Sequence, residues 1–204
     1  MKRSWGRMAR EVRAGVLAMV VLTVLLGVVY PMVMTGIGLL VFPHQANGSL
    51  VTGADGQAAG SALIGQSFVD ADGNPLPQYF QPRLSYAGKG YDPRASGGSN
   101  LGPENADLIA RIASAKQSIA AFDGVAPSAV PPDAVTASAS GLDPDISPEY
   151  AAIQVARVAS ARGMTPDQVR VLVAQHIQGR DLGYIGEPRV NVVELNLALD
   201  QRHA

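Results

Sequence analysis

The sequence predicts an α+β protein: one N-terminal transmembrane helix followed by a single mixed α+β extracytoplasmic domain. Three observations predict it. Residues 14–42 carry no charge and follow a cluster of basic side chains. Three later segments space their apolar residues as helices do, between recognisable caps. Short β-prone runs lie between turn residues in the remainder.

The uncharged run covers 29 residues from Ala14 to Phe42. As a helix it would extend about 43 Å at ~1.5 Å per residue, and a bilayer core needs only about 20 residues. Lys2, Arg3, Arg7, Arg10 and Arg13 precede it, opposed only by Glu11. A basic flank stays in the cytoplasm, which places the following residues outside. A cleaved signal has an apolar part of about 7–15 residues and a small-x-small site; this run is longer and leads into Phe42-Pro43-His44-Gln45-Ala46. A buried helix of a soluble domain would interrupt the run with a polar face. Pro31 removes one backbone donor late in the span, so a kink or the outer interface is expected there, and Tyr30 and Phe42 suit that interface. Small residues at Ala14, Gly15, Ala18 and Gly27 permit close helix approach, although any membrane span carries such residues. The chain thus divides into a cytoplasmic basic tail (1–13), an anchor (14–42) and an outer domain (43–204).

Composition narrows the role of the outer domain. The chain has 16 basic and 17 acidic residues; setting aside the five basic residues and Glu11 of the tail leaves 11 and 16, a net charge of −5. Nucleic acid requires a basic face, so this balance argues against it as a partner. There is no cysteine, hence no disulfide and no thiolate metal site.

Along the outer domain, Pro43 to Gly48 reads as a linker. Leu50-Val51-Thr52 and Ala62-Leu63-Ile64 read as strands about an Asp55-Gly56 turn. Three prolines between Pro75 and Pro82 exclude an α-helix and predict an extended loop. Gly88 to Gly102 is rich in Gly, Ser and Asn. A helix is expected from Pro103, with Glu104 in its first turn, an apolar stripe of Leu108, Ile112, Ala115, Ile119 and Phe122, and Gly124 beyond its end. Asp133 to Ala139 alternates weakly, as a strand does. The second helix is capped by Ser147 before Pro148 and closed by Gly163; the third opens on a Thr165/Gln168 capping box and ends by Gly179. Val190 to Asp200 alternates like a strand, yet Asn191 and Glu194 can cap a helix with Val192, Leu195 and Leu199 on one face. Leu and Ala favour the helix.

Candidate chemistry is sparse. Gly88-Lys89-Gly90-Tyr91 lacks the glycine spacing and the hydroxyl after Lys that a phosphate loop needs, and reads as a surface turn. Ser96 to Pro103 has the amides for an anion at a helix start, but a tight turn with a cap explains it better. Asp143, Asp145 and Glu149 have cation-binding oxygens, yet their Asp-Pro and Ser-Pro context is that of turns and caps. His176 has no second His or Cys at zinc spacing, and no Gly-x-Ser-x-Gly elbow occurs.

The ordered set of motifs carries more weight. After the anchor come Gly60-Ser-Ala-Leu-Ile-Gly-Gln66, Tyr79-Phe-Gln-Pro-Arg83, Ser96-Gly-Gly-Ser-Asn-Leu-Gly-Pro103 and Asp133 through Pro144 with Ile146-Ser-Pro148. Gln154-Val-Ala-Arg-Val-Ala159 and Gly186-Glu-Pro-Arg-Val-Asn-Val192 follow. Over essentially its whole length the chain resembles KdpC, the C chain of the bacterial potassium-transporting P-type ATPase. The resemblance implies a non-catalytic accessory subunit in the cell inner membrane, needed for assembly and activity of a high-affinity potassium uptake complex. It implies three partners: a channel-like potassium-translocating subunit, a P-type ATPase subunit and a small single-span subunit. It also implies a chaperone-like rise in the nucleotide affinity of the ATPase subunit, and with it ATP as a ligand. Orientation opposes a direct ATP site, because the domain faces away from the cytoplasmic nucleotide; an indirect effect needs only a differential interaction with two states of the complex. The polar and aromatic members of these motifs are the candidate contact residues: Gln66, Tyr79, Phe80, Gln81, Arg83, Ser99, Asn100, Asp143, Glu187 and Arg189. Arg83 and Arg189 have internal pairing with acids as an equal alternative. Two other classes remain open on the residues alone: a membrane-anchored extracytoplasmic enzyme, and an anchored ligand-binding module.

Overall fold

Lys2 to Val41 is helical without a break in the computed structural model, which describes residues 2–53 and 55–202. Helix α1 (Lys2–Val24) passes through a π-helical stretch (Leu25–Val29) into α2 (Tyr30–Val41). The expected disturbance at Pro31 takes this form. Proline cannot donate to the carbonyl one turn back, and its ring crowds that carbonyl. The wider π turn relieves the crowding, with the Tyr30 N–H reaching Leu25 O instead. The helix stops at Phe42. A short turn of helix, α3 (Pro43–Ala46), stands where a linker was expected, fastened by Asn47 Nδ2 donating to Pro43 O at 2.7 Å.

Residues 1–49 and residues from 50 onward form two separate compact units. Within the first, apolar side chains are exposed all round the helix, and Trp5–Val41 is long and apolar enough to cross a membrane. Within the second, helices and short strands mix, as the α+β reading requires.

The core of the second unit is built on three helices. In α6 (Pro148–Arg162), Tyr150, Ala151, Gln154, Val155, Val158 and Ala159 form one buried face. The Ser147 side chain accepts from Tyr150 N and Gly163 closes the end in the left-handed conformation at φ 65°, both as read from the sequence. Helix α7 (Pro166–His176) buries Val169, Leu172 and Val173 behind the Thr165/Gln168 capping box. It ends three residues before Gly179, because Ile177–Gln178 (β4) leaves the helix to pair with Arg189–Asn191 (β5). Asp145–Ile146 (β3) pairs on the other side of β5, all antiparallel. The ambiguous C-terminal segment is therefore both: strand β5, then α8 (Val192–Gln201). Its Asn191 cap accepts from Val193 N and Glu194 N, and Val192, Leu195 and Leu199 are fully buried.

Three expectations are corrected. Strand β1 (Leu50–Thr52) pairs with β2 at Ala58–Ser61, not at 62–64, with a register shift between Val51 and Thr52. Helix α4 is Ala106–Asp123, and Pro103 and Glu104 form a turn before it, because Asn105 caps it by accepting from Asp107 N and Leu108 N. The predicted apolar stripe of α4 faces inward, half-buried, and Gly124 ends the helix. Residues 133–139 are not a strand. Pro131 and Pro132 preset a helical turn, α5 (Pro132–Val135), and Thr136 closes it by donating from N and Oγ1 to Pro132 O.

Two glycines of the motifs are required by space. A Cβ on Gly65 would meet the Tyr91 ring at 2.3 Å, and one on Gly141 would meet Ala87 at 2.7 Å where two loops cross.

Candidate functional site

The segment from Pro75 to Arg83 is not helical, as its prolines require, but it is not extended throughout: it turns at Pro77–Gln78, where Tyr79 N donates to Leu76 O at 3.3 Å, and the helices hold it by their side chains. Buried Asn196 of α8 donates to Phe80 O and accepts from Phe80 N, both at 2.9 Å. Buried Gln154 of α6 does the same for Gln81, accepting from its N–H at 2.7 Å and donating to its O at 3.1 Å. Each amide side chain thus stands in for a neighbouring β-strand and satisfies backbone groups that have no ladder. Between them, Phe80 is fully enclosed.

Two arginines complete the hold. Arg157 donates from Nε to Asp123 Oδ1 at 2.7 Å and from Nη2 to Gln154 Oε1 at 2.7 Å. Its Nη1 donates to the carbonyls of Pro77 and Tyr79 at 2.6 and 2.9 Å. The guanidinium lies 4.4 Å from the Phe122 ring centroid, and the pair is nearly buried, with the side chains 7% and 2% exposed. Arg162 donates to Gln78 O and Asp200 and covers the Tyr79 ring. The Tyr79 hydroxyl donates to the same Asp200 carboxylate. Burial pushes the Asp123 carboxyl above the usual carboxylate range, against the pull of Arg157.

The sequence-selected residues divide by place. Tyr79, Phe80, Gln81 and Arg83 lie together on the held segment. Gln81 Nε2 donates to the carbonyls of Phe68 and Leu76, and Arg83 pairs with Asp143 at 2.8 Å while donating to Thr136 O. Gln66 braces β2 through Ala59 O. Arg189 pairs with Asp145 at 3.3 Å and lies 3.8 Å from Asp181, and Glu187 holds Arg180. Burial first, then the charge of Asp143, raises the Asp145 carboxyl, with Arg189 opposing. Asp143 and Asp145 are thus engaged by arginines, while Glu149 sits exposed in the first turn of α6. Ser99 and Asn100 line a separate cleft beside α4, away from the held segment. On the long helix, Ala14, Gly15 and Ala18 share a side, and Gly27 falls on nearly the opposite one. The sequence reading missed Gln154 and Arg157 as organisers, and Asn196, Arg162, Asp123 and Asp200 altogether. The available signal was a polar residue inside an apolar helical face, as with Gln154 beside Val155 and Val158 or Asn196 beside Leu195 and Leu199.

The same region predicts a response to alkali. Tyr91 donates its hydroxyl to Arg83 O at 2.8 Å. Burial, reinforced by Asp143 for Tyr91 and by Asp123 for Tyr150, holds both phenols protonated well above their ordinary value of 10.0. The folded state keeps protons that an unfolded phenol has lost. Their stabilising contribution is therefore complete below pH 10 and is lost above it, at about 1.4 kcal/mol per pH unit for each group. Near-UV circular dichroism of the full chain in detergent should show unfolding above pH 10, with a shallower pH dependence in Tyr150→Phe. Identical alkaline profiles for the two proteins would contradict this.

A protein-family model described as KdpC, the K+-transporting ATPase c chain, matches residues 12–201. The chain belongs to the KdpC family. Its relatives include the potassium-transporting ATPase KdpC subunits of Kineococcus radiotolerans and Citrifermentans bemidjiense. The first is 55% identical over 190 residues, covering 93% of each chain. The second is 50% identical over 194 residues, covering 95% of this chain and 98% of the relative. That of Gemmatimonas aurantiaca is 51% identical over 198 residues, 97% and 96% of the two chains. As a KdpC subunit, the chain works in a complex with the other subunits of a potassium-transporting ATPase, and its one candidate membrane helix fits a single-pass member of it.

Proposed function

We propose that this KdpC subunit is the non-catalytic accessory chain of a high-affinity, ATP-driven potassium uptake complex in the cell inner membrane, needed for assembly and activity. The observation that carries this reading is the helix that covers 14–41, uncharged and bare on every side, with five basic residues at its N-terminal end. Such a helix is stable in lipid or against other apolar helices, and its basic end keeps the N-terminus in the cytoplasm. The globular unit then lies on the outer face, where its partners are the channel-like subunit, the P-type ATPase subunit and the small single-span subunit. The loop before β5 supports a contact role: Leu182 is 81% exposed and Tyr184 72%, on a turn pinned by the Asp181–Ile185 bridge and the Arg180–Glu187 pair.

The residues present do not fit ATP. Lys89 stands on an exposed turn, and Arg83 is committed to Asp143 and Thr136, so neither offers a buried cation to a triphosphate. A rise in the nucleotide affinity of the ATPase subunit is accordingly an indirect effect, transmitted by this chain binding one state of the complex more tightly than another.

Purification in mild detergent through a C-terminal tag should recover a large multispan channel subunit and a P-type ATPase in equal amounts. Protease added to intact spheroplasts should degrade the C-terminal domain. Recovery of the chain alone, or full protection of the domain, would reject the proposal.

A further inference from the structure

A cleft of about 290 Å³ opens beside the held segment. Most of its wall is apolar, from Val69, Pro75, Pro82, Ile119 and Phe122. Two side chains inside it each have an oxygen with no hydrogen bond among the described residues. Tyr150 is 3% exposed and lines the cleft, and its hydroxyl has no hydrogen bond among the described residues. Asp123 is 6% exposed, and it gives only Oδ1 to Arg157, leaving Oδ2 without a donor among the described residues. Neither oxygen is sealed off, since no fully enclosed side-chain oxygen among the described residues lacks a partner. Arg83, the cation on this wall, is taken up by Asp143 and Thr136.

The carboxylate oxygen that Arg157 leaves unused and the phenol, both on one apolar cleft whose wall carries no uncommitted cation among the described residues, form a site that asks for hydrogen-bond donors. Buried polar groups left unpaired cost free energy that a donor would recover. We propose that the cleft binds a primary ammonium carried on a short apolar chain or single ring. The ammonium donates to Asp123 Oδ2 and the Tyr150 hydroxyl, and the apolar part lies against Pro75, Pro82 and Ile119. The volume sits at the lower end of ligand pockets, about 300–1,000 Å³, which suits a group of that size. The ammonium has two sources of identical chemistry, a free amine or a lysine side chain of a partner subunit.

Saturation-transfer NMR tests this on the full chain in detergent, with empty micelles as the blank and 2-phenylethylamine as the probe. Saturable binding is expected at about 1 mM or tighter. The anion 3-phenylpropanoate, with the same ring, should bind at least about tenfold more weakly. Tyr150→Phe removes a hydroxyl with no internal partner, so it should fold normally and weaken the amine about tenfold. Asp123→Asn should weaken it at least as much, and Ser118→Trp, on the exposed rim, should block it. Repeating the titration on the assembled complex separates the sources. Retained binding assigns a free amine; binding by the isolated chain but not by the complex assigns a partner's lysine. No saturable binding to the isolated chain, equal binding of amine and carboxylate, or indifference to Tyr150→Phe overturns the proposal.

Discussion

Arg157→Ala should destabilise the outer domain by about 3–5 kcal/mol, because it leaves the buried Asp123 carboxylate without its charge partner. It also strips donors from the carbonyls of Pro77 and Tyr79 and bares the Phe122 ring. For a domain of this size each kcal/mol lowers the melting temperature by about 2–4 °C, so a fall of roughly 10 °C is expected. Arg157→Lys should recover little, since an ammonium can meet Asp123 but lacks the planar fork that reaches three further acceptors. The double variant Asp123→Leu/Arg157→Met separates the two roles of the arginine. If only the charge pair mattered, apolar replacement of both partners would be nearly neutral. The freed backbone carbonyls predict instead that about 2 kcal/mol of destabilisation remains. Denaturant unfolding of the full chain in detergent measures all three, and a loss below about 1 kcal/mol in Arg157→Ala would refute the role given to it.

That arginine also marks the limit of what the sequence discloses. Most helix ends were legible because their chemistry is local: Ser147 and Pro148, Thr165 with Gln168, Gly124 and Gly163 each act within one turn of themselves, whereas the equally local Asn105 cap was passed over for Pro103. Asn191 was legible as a possible cap for the same reason, in a segment that the alternation left ambiguous and that Leu and Ala tipped toward helix. Of the short strands, Leu50–Thr52 was legible and the others were not. Residues 58–61 and 189–191 are strands because of what lies beside them, and pairing of that kind overrides local preference. The turn at 132–135 won over a weakly alternating strand because two prolines fix the backbone first. The hold on residues 75–83 was only half legible. Its prolines rule out a helix but not the turn at Pro77–Gln78, and the groups that fasten it come from positions 123, 154, 157, 162, 196 and 200, which only packing brings together. The cleft is a product of the same packing, and nothing in the spacing of Asp123 and Tyr150 foretells it.

The second large effect belongs to the anchor. Val21→Arg with Leu26→Arg places two guanidinium groups well apart around the helix, near the middle of the 14–42 run. No single partner helix or water-lined side can shelter both. Each arginine costs about 2.5–3.5 kcal/mol at a helix centre, while each Leu or Val contributes only about −0.3 to −0.6. The pair therefore removes roughly what the aliphatic residues of one span supply, and membrane integration should fall steeply. Alkaline carbonate extraction should find most of the doubly substituted chain in the soluble fraction, and potassium-dependent ATPase activity in the purified complex should fall in proportion to the chain lost. The bulge at Leu25–Val29 sharpens the comparison. Replacing Pro31 by Ala restores a donor and removes the crowding, so it should leave integration intact even though it lies in the same helix. A doubly substituted chain that stayed in the membrane and supported full activity would show that the helix is held by protein contacts rather than by lipid, and the anchoring role would have to be abandoned.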